Sequence, residues 1–227
     1  MGSADVAGVD LAALMAAHGY QDSVAWALTT SGISIAGAPA AGSGGQLVTV
    51  RTIWSKFGVS AARRAESFRV PVELIVATIA TESRGDPTAL RLEPGYVDDD
   101  KTPDKLSPGL MQTLISTARD VLRKDDIDRA WLLEPDNSIQ AGTACIDRQR
   151  RLTLLDPPKV ACAYNAGGLY HDPSAANRWK MRQYPLGRSS HGDRFVQWFN
   201  DCIALFDESG VAPAMSFYRM LQEEAVA

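Results

Sequence analysis

The chain has 227 residues, 45% of them hydrophobic and 22% charged, enough to bury a full core as one domain with modest additions. A net charge of -4 and a pI near 5.4 give no global attraction to nucleic acid or another anionic polymer. No apolar run approaches the ~18 residues a membrane helix needs, and three scattered histidines, His18, His171 and His191, lack metal-ligand spacing.

The amino terminus fails as a secretory signal. Asp5, Asp10 and His18 interrupt its apolar residues and no Lys or Arg precedes them, so Met1-Gly2-Ser3 reads as an ordinary start or an expression remnant. Residues 10 to 30 predict a short helix over Leu11, Leu14 and Met15, then an apolar patch around Trp26. Gly37-Ala38-Pro39-Ala40-Ala41-Gly42-Ser43-Gly44-Gly45 reads as a linker or mobile loop. The two β-leaning stretches, Ile33-Ser34-Ile35 and Leu47-Val48-Thr49-Val50, flank it and suggest a hairpin. A helix is expected from Trp54 through Phe68, and others near 71–83, 108–123, 137–154, 157–166, 175–183, 192–207 and 213–224. Phe195, Phe199, Cys202 and Phe206 recur at helical spacing, with Trp198 and Leu205 alongside, and should cover the core.

Basic side chains gather in the second half, at Arg148, Arg150, Arg151, Arg178, Lys180, Arg182 and Arg188, where a solvated helix face is the plain reading. Cys145, Cys162 and Cys202 are odd in number and lie in helical contexts; buried thiols are expected, and nothing supports a Cys145–Cys162 bridge. The organisation expected is mainly α, with residues 1–50 as an extension and 51–227 as the principal domain.

Glu82 is the most informative residue. It ends the apolar run Val70 to Thr81, immediately before the breaker string Ser83-Arg84-Gly85-Asp86-Pro87. Pro71 suits the first helical position, Glu73 the first turn, and Gly85 with Pro87 the stop. Glu82 lies on the stripe of Ile75, Thr78 and Ile79, so burial and the negative end of the helix dipole should both raise its pKa toward neutrality, as a general acid requires. Alone, such a Glu is more often a surface group, with Arg84 near enough to pair with it.

Three clusters follow it in order: Gly109-Leu110-Met111-Gln112, then Leu133-Glu134-Pro135-Asp136-Asn137-Ser138-Ile139 leading into Gly142, then Ala163-Tyr164-Asn165-Ala166-Gly167. With Glu82-Ser83 in front, this order resembles the soluble lytic transglycosylase and goose-type lysozyme group, over roughly residues 70 to 170. Asp193-Arg194-Phe195-Val196-Gln197-Trp198-Phe199-Asn200 resembles the closing helix of phage-associated members. The resemblance implies a lysozyme-like helical domain that cuts peptidoglycan glycan strands, with no cofactor, no metal, no nucleic acid and no membrane insertion, acting as a monomer on the bacterial cell wall. With no secretory signal read, a phage-encoded protein or delivery by a partner is expected.

By resemblance Glu82 is the acid and the Ser83 hydroxyl helps hold the site. Gly109 permits close approach of the sugar, Leu110 belongs to the same cluster, Met111 packs under the catalytic carboxyl and Gln112 hydrogen-bonds the glycan. Tyr164 holds Glu82 through its phenol and Asn165 contacts acetamido groups. The plain alternatives stay open: Leu110 and Met111 as core, Asn165 as a helix end before an αL glycine, Tyr164 as a core aromatic.

A second carboxylate, needed by a hydrolase as nucleophile or water-activating base, has only loop candidates in the long stretch from Arg91 to Asp104. Glu93 and Tyr96 are expected to reach the cleft, and Asp98, Asp99 and Asp100 read as a solvated turn. The enzymes resembled manage with one Glu and release 1,6-anhydro ends. The alternatives are a goose-type hydrolase and a non-catalytic peptidoglycan-binding or structural module of a phage or secretion machine.

Overall fold

The computed structural model describes residues 8–45 and 47–226. The reading of the chain start from Met1-Gly2-Ser3 and Asp5 lies outside the described residues. A short helix α1 (Leu11–Met15) and a hairpin, β1 (Trp26–Thr29) and β2 (Gly32–Ile35), precede the helices α2 (Val48–Phe68) and α3 (Val72–Glu82). A second hairpin, β3 (Leu90–Leu92) with β4 (Leu106–Pro108), leads to α4 (Ile115–Leu122), α5 (Arg129–Leu133), α6 (Pro135–Arg148), α7 (Arg150–Thr153) and α8 (Pro157–Ala166). A long loop then reaches α9 (Ser190–Ser209) and α10 (Phe217–Val226). The fold is mainly α, with two small antiparallel sheets.

The centre is α3. Every residue from Val72 to Ala80 is buried, so the helix has no wet face. It packs against α2 and α9, with α6 and α8 beside it. Its threonines are satisfied locally: Thr78 Oγ1 donates to Leu74 O at 2.7 Å, and Thr81 Oγ1 donates to Ala77 O at 2.7 Å. Glu73, fully buried, accepts from Ser216 Oγ (2.7 Å), Phe217 N (2.9 Å) and Tyr218 N (2.9 Å), and so caps α10 from a distance. On α9 the stripe Phe195, Phe199, Cys202 and Phe206 is buried as its spacing predicted; each such Phe contributes roughly 1.5–3 kcal/mol of burial.

The observed α3 agrees with the expected helix to within a residue at each end. Other expectations need correction. Ile33–Ile35 is a strand, but its partner is Trp26–Thr29, in the register Trp26 to Ile35 and Thr29 to Gly32. Val48–Val50 instead opens α2, because Val50 and Ile53 bury on the helical face of Ala61 and Ala65. The expected helix from 108 starts only at Ile115: Gly109 and Gln112 both have positive φ, 81° and 49°, which no helix contains. The stretch 137–154 is split at Gln149 into α6 and α7. Residues 175–183 form no helix; Asn177 Nδ2 donates to Asp172 Oδ2 and Met181 O, holding this segment as an ordered loop with Trp179 buried. Cys145, Cys162 and Cys202 are free and buried.

Candidate active site

Glu82 is the last residue of α3, and the chain turns away through Ser83, Arg84 (φ 56°) and Gly85 (φ 83°). Ser83 Oγ donates to Leu110 O at 2.7 Å, so it fastens the end of the helix to the Gly109–Gln112 loop. That loop depends on glycine twice. A Cβ at Gly109 would run into Leu132 O, and one at Gly142 of α6 would lie 2.5 Å from Met111 Sδ. Gly142 therefore lets Met111 sink fully into the core beside Leu110.

Tyr164 closes the loop from the other side. Its phenol donates to Met111 O at 2.8 Å and lies 2.9 Å from Thr113 Oγ1. With its one proton given to Met111, it accepts from the Thr113 hydroxyl. Burial drives its pKa well above the ordinary value, so it stays a donor. The expected bond to Glu82 is thus replaced by a bond to the loop backbone. Gln112 spends its amide donors on Gly109 O (2.8 Å) and Ala89 O (3.0 Å), leaving its Oε1 acceptor for a ligand. Asn165 Oδ1 accepts the Tyr184 N–H at 2.5 Å, leaving its Nδ2 donors.

These residues line a cleft of about 460 Å³ that contains Glu82, Gln112, Thr113, Tyr164 and Asn165, with Arg91, Glu93, Cys145, Arg148 and Tyr184 around them. The Glu82 side chain is 13% exposed. Burial pushes its carboxyl up to about 7, against the opposing pull of the Arg91 and Arg194 guanidiniums. The His191 Nε2 lies 3.7 Å from Glu82 Oε1, at the start of α9. Burial, with Arg194 and Arg91 adding to it, pushes that imidazole down to about 4. At neutral pH the ring is neutral and the carboxyl stands near the midpoint of its titration, so the contact is not an ion pair.

Of the loop acids only Glu93 reaches the cleft, and it is held by Arg91 Nε at 2.8 Å. Asp99 is bound by Arg129 (2.7 Å) and the Tyr96 hydroxyl (2.5 Å), against the smaller apolar cluster that Tyr96 joins. Asp98 caps the turn at Lys101 N, and neither it nor Asp99, Asp100 or Tyr96 lines the cleft. The expectation that Tyr96 reaches the cleft is therefore corrected. Sequence reasoning missed His191, Arg194, Thr113 and Tyr184 as neighbours of the site. No spacing links His191 to Glu82, because the two meet only where α3 packs on α9.

Compared with known proteins, residues 60–186, more than half of the chain, match the family profile of the transglycosylase SLT domain. No curated protein matches the chain.

Proposed function

The chain belongs to the transglycosylase SLT domain family, which gives it a peptidoglycan-cleaving function of the lytic-transglycosylase type, and from that premise we propose that Glu82 is its single catalytic acid-base. The supporting observation is one carboxyl on the cleft wall with a pKa pushed up to about 7 by burial, beside a neutral His191. The bond cut is the β-1,4 link between N-acetylmuramic acid and N-acetylglucosamine. Glu82 gives its proton to the leaving glycosidic oxygen while the acetamido oxygen of the muramic unit bonds to the anomeric carbon. The resulting Glu82 carboxylate takes the proton from the C6 hydroxyl. O6 then attacks the anomeric carbon, the acetamido oxygen leaves, and a 1,6-anhydro end is released.

Ser83 and Tyr164 serve this step by fixing the Gly109–Gln112 loop against Glu82, and Gln112 Oε1 and Asn165 Nδ2 offer an acceptor and donors for acetamido and hydroxyl groups. Leu110 and Met111, both fully buried, back this loop from the core side, and burial of Glu82 itself disfavours the carboxylate. A hydrolytic muramidase is the second reading, favoured by the presence of Glu93 on the cleft. Its ion pair with Arg91 argues for the first. We also propose that residues 1–50 form an extension to a principal domain of 51–227; the extension is anchored by Trp26 Nε1 and His18 Nε2 on Asp156, at 2.9 and 3.0 Å.

Digestion of purified sacculi in ¹⁸O-labelled water decides between the readings. Released muropeptides should carry 1,6-anhydro ends without label, and neutralising Asp98, Asp99 and Asp100 together should leave the reaction running. One ¹⁸O per cut, with activity lost on changing Glu93, would establish hydrolysis instead.

A further inference from the structure

Beyond Gly167 the cleft wall continues onto a shelf that the proton-transfer step does not use. Tyr170 lies so close over Gly168 that a Cβ there would meet its hydroxyl at 2.9 Å. The Arg182 guanidinium stacks on the Tyr170 ring, 5.1 Å from its centroid. Tyr184, two residues on, lines the cleft itself. Both tyrosines are about half exposed, at 47% and 46%.

The shelf is built rigidly. Arg182 N donates to Tyr170 O (2.7 Å) and Asp172 N donates to Lys180 O (2.9 Å), so 170–172 and 180–182 run as a paired ribbon. Along it Met181 and Gln183 turn inward, and Arg182 and Tyr184 turn outward. Gln183 Oε1 accepts from the backbone N–H groups of His191 (3.0 Å) and Gly192 (2.9 Å), and Asn165 holds Tyr184 from the cleft side. A ligand meeting this surface has little ordering cost to overcome.

Charge narrows the ligand. Of the cations that line the cleft, Arg91 is occupied by Glu93 and Arg148 by Asp120. Arg182 makes no ion pair among the described residues, and a stacked guanidinium keeps its edge N–H donors open to a carboxylate. A pyranose has apolar C–H faces that suit an exposed tyrosine ring, and the peptide stem hanging from muramic acid carries carboxylates.

We infer that Tyr184, Tyr170 and Arg182 form a subsite for a peptide-bearing sugar of the glycan strand, with Tyr184 stacking the ring and Arg182 pairing with a stem carboxylate. This inference rests on the proposed peptidoglycan-cleaving reading of the cleft and adds a preference for strands that retain their stems. The test compares kcat/KM on purified strands with stems intact and on strands stripped by an amidase. The wild type should favour intact strands, and Arg182→Gln should cut that ratio by about tenfold. Tyr184→Ala should lower kcat/KM on both substrates. A ratio unchanged within about twofold in Arg182→Gln overturns the stem contact, and a Tyr184→Ala enzyme equal to wild type overturns the stacking. A wild type that cuts both strands equally overturns the subsite alone, whereas one that cuts neither overturns the reading of the cleft as well.

Discussion

Replacing Glu82 by Gln separates the chemical use of a buried carboxyl from its cost. Burial raises the native pKa from an ordinary 4.5 to about 7, so between those values the folded chain keeps a proton that the unfolded chain releases. The associated stabilisation is complete below pH 4.5 and is lost as the pH rises through about 7. A shift of that size is worth about 3 kcal/mol, against a typical folding stability of ~5–15 kcal/mol. Glutamine keeps the shape and has no such proton to lose. The stability difference between Glu82→Gln and wild type should therefore move by about 3 kcal/mol in the variant's favour between about pH 4 and about pH 8. Lysis of purified peptidoglycan should fall by ~10²-fold or more. Urea unfolding at the two pH values and a turbidity assay measure both effects. A difference that stays constant within ~1 kcal/mol, or moves the other way, refutes the buried protonated carboxyl. Near-normal turnover with an unchanged fold refutes Glu82 as the acid.

The His191 shift has the opposite sign: the imidazole is depressed from 6.5 to about 4, so its contribution is present above pH 6.5 and lost as the pH falls through about 4. His191→Gln in the Glu82→Gln background should flatten the acid limb of stability against pH, and an unaltered limb would contradict a neutral buried ring. Tyr164→Phe removes the donor to Met111 O and the acceptor for Thr113, at a cost of ~1–3 kcal/mol. It should also lower kcat more than it raises KM, since the loop it holds supports the acid; a change confined to KM in steady-state kinetics would argue otherwise. Glu73→Ala leaves three donors at the start of α10 without their acceptor and should cost about 3 kcal/mol or more. Hydrogen exchange over residues 217–226 should accelerate, and a cost under ~1 kcal/mol would show that the cap contributes little.

Much of the fold was legible where local signals agree with packing. Pro71, Glu73 and Gly85 bracket α3 in the sequence as they do in space, and the aromatic stripe of α9 faces the core. Legibility failed where a distant partner decides. Val48-Thr49-Val50 has strand propensity, but it opens a 21-residue helix whose burial against α3 outweighs that preference. The β1–β2 turn at Thr30-Ser31 carries no Asn-Gly signal, so nothing local marks the hairpin at its true position. The loop from Gly109 to Leu114 falls inside the helix expected near 108–123; the space under Leu132 O that only glycine fits is invisible in one dimension. The site divides in the same way. Glu82, Gln112, Tyr164 and Asn165 stand in short clusters and are found on the cleft. The hydrogen bonds that occupy Tyr164 and Asn165, and the approach of His191, depend on tertiary contacts.

The cap that Glu73 places on α10 also has a bearing on biogenesis. The bond from Ser216 to Glu73 closes a span of 143 residues, so the chain leaves the ribosome with α3 made long before its donors exist. Until residues 216–218 emerge, a carboxyl destined for full burial has no partners there, and enclosing it costs several kcal/mol. Enclosure of α3 therefore waits for residues 216–218. A nascent chain carries Glu82 well before it carries an acid poised near neutral pH.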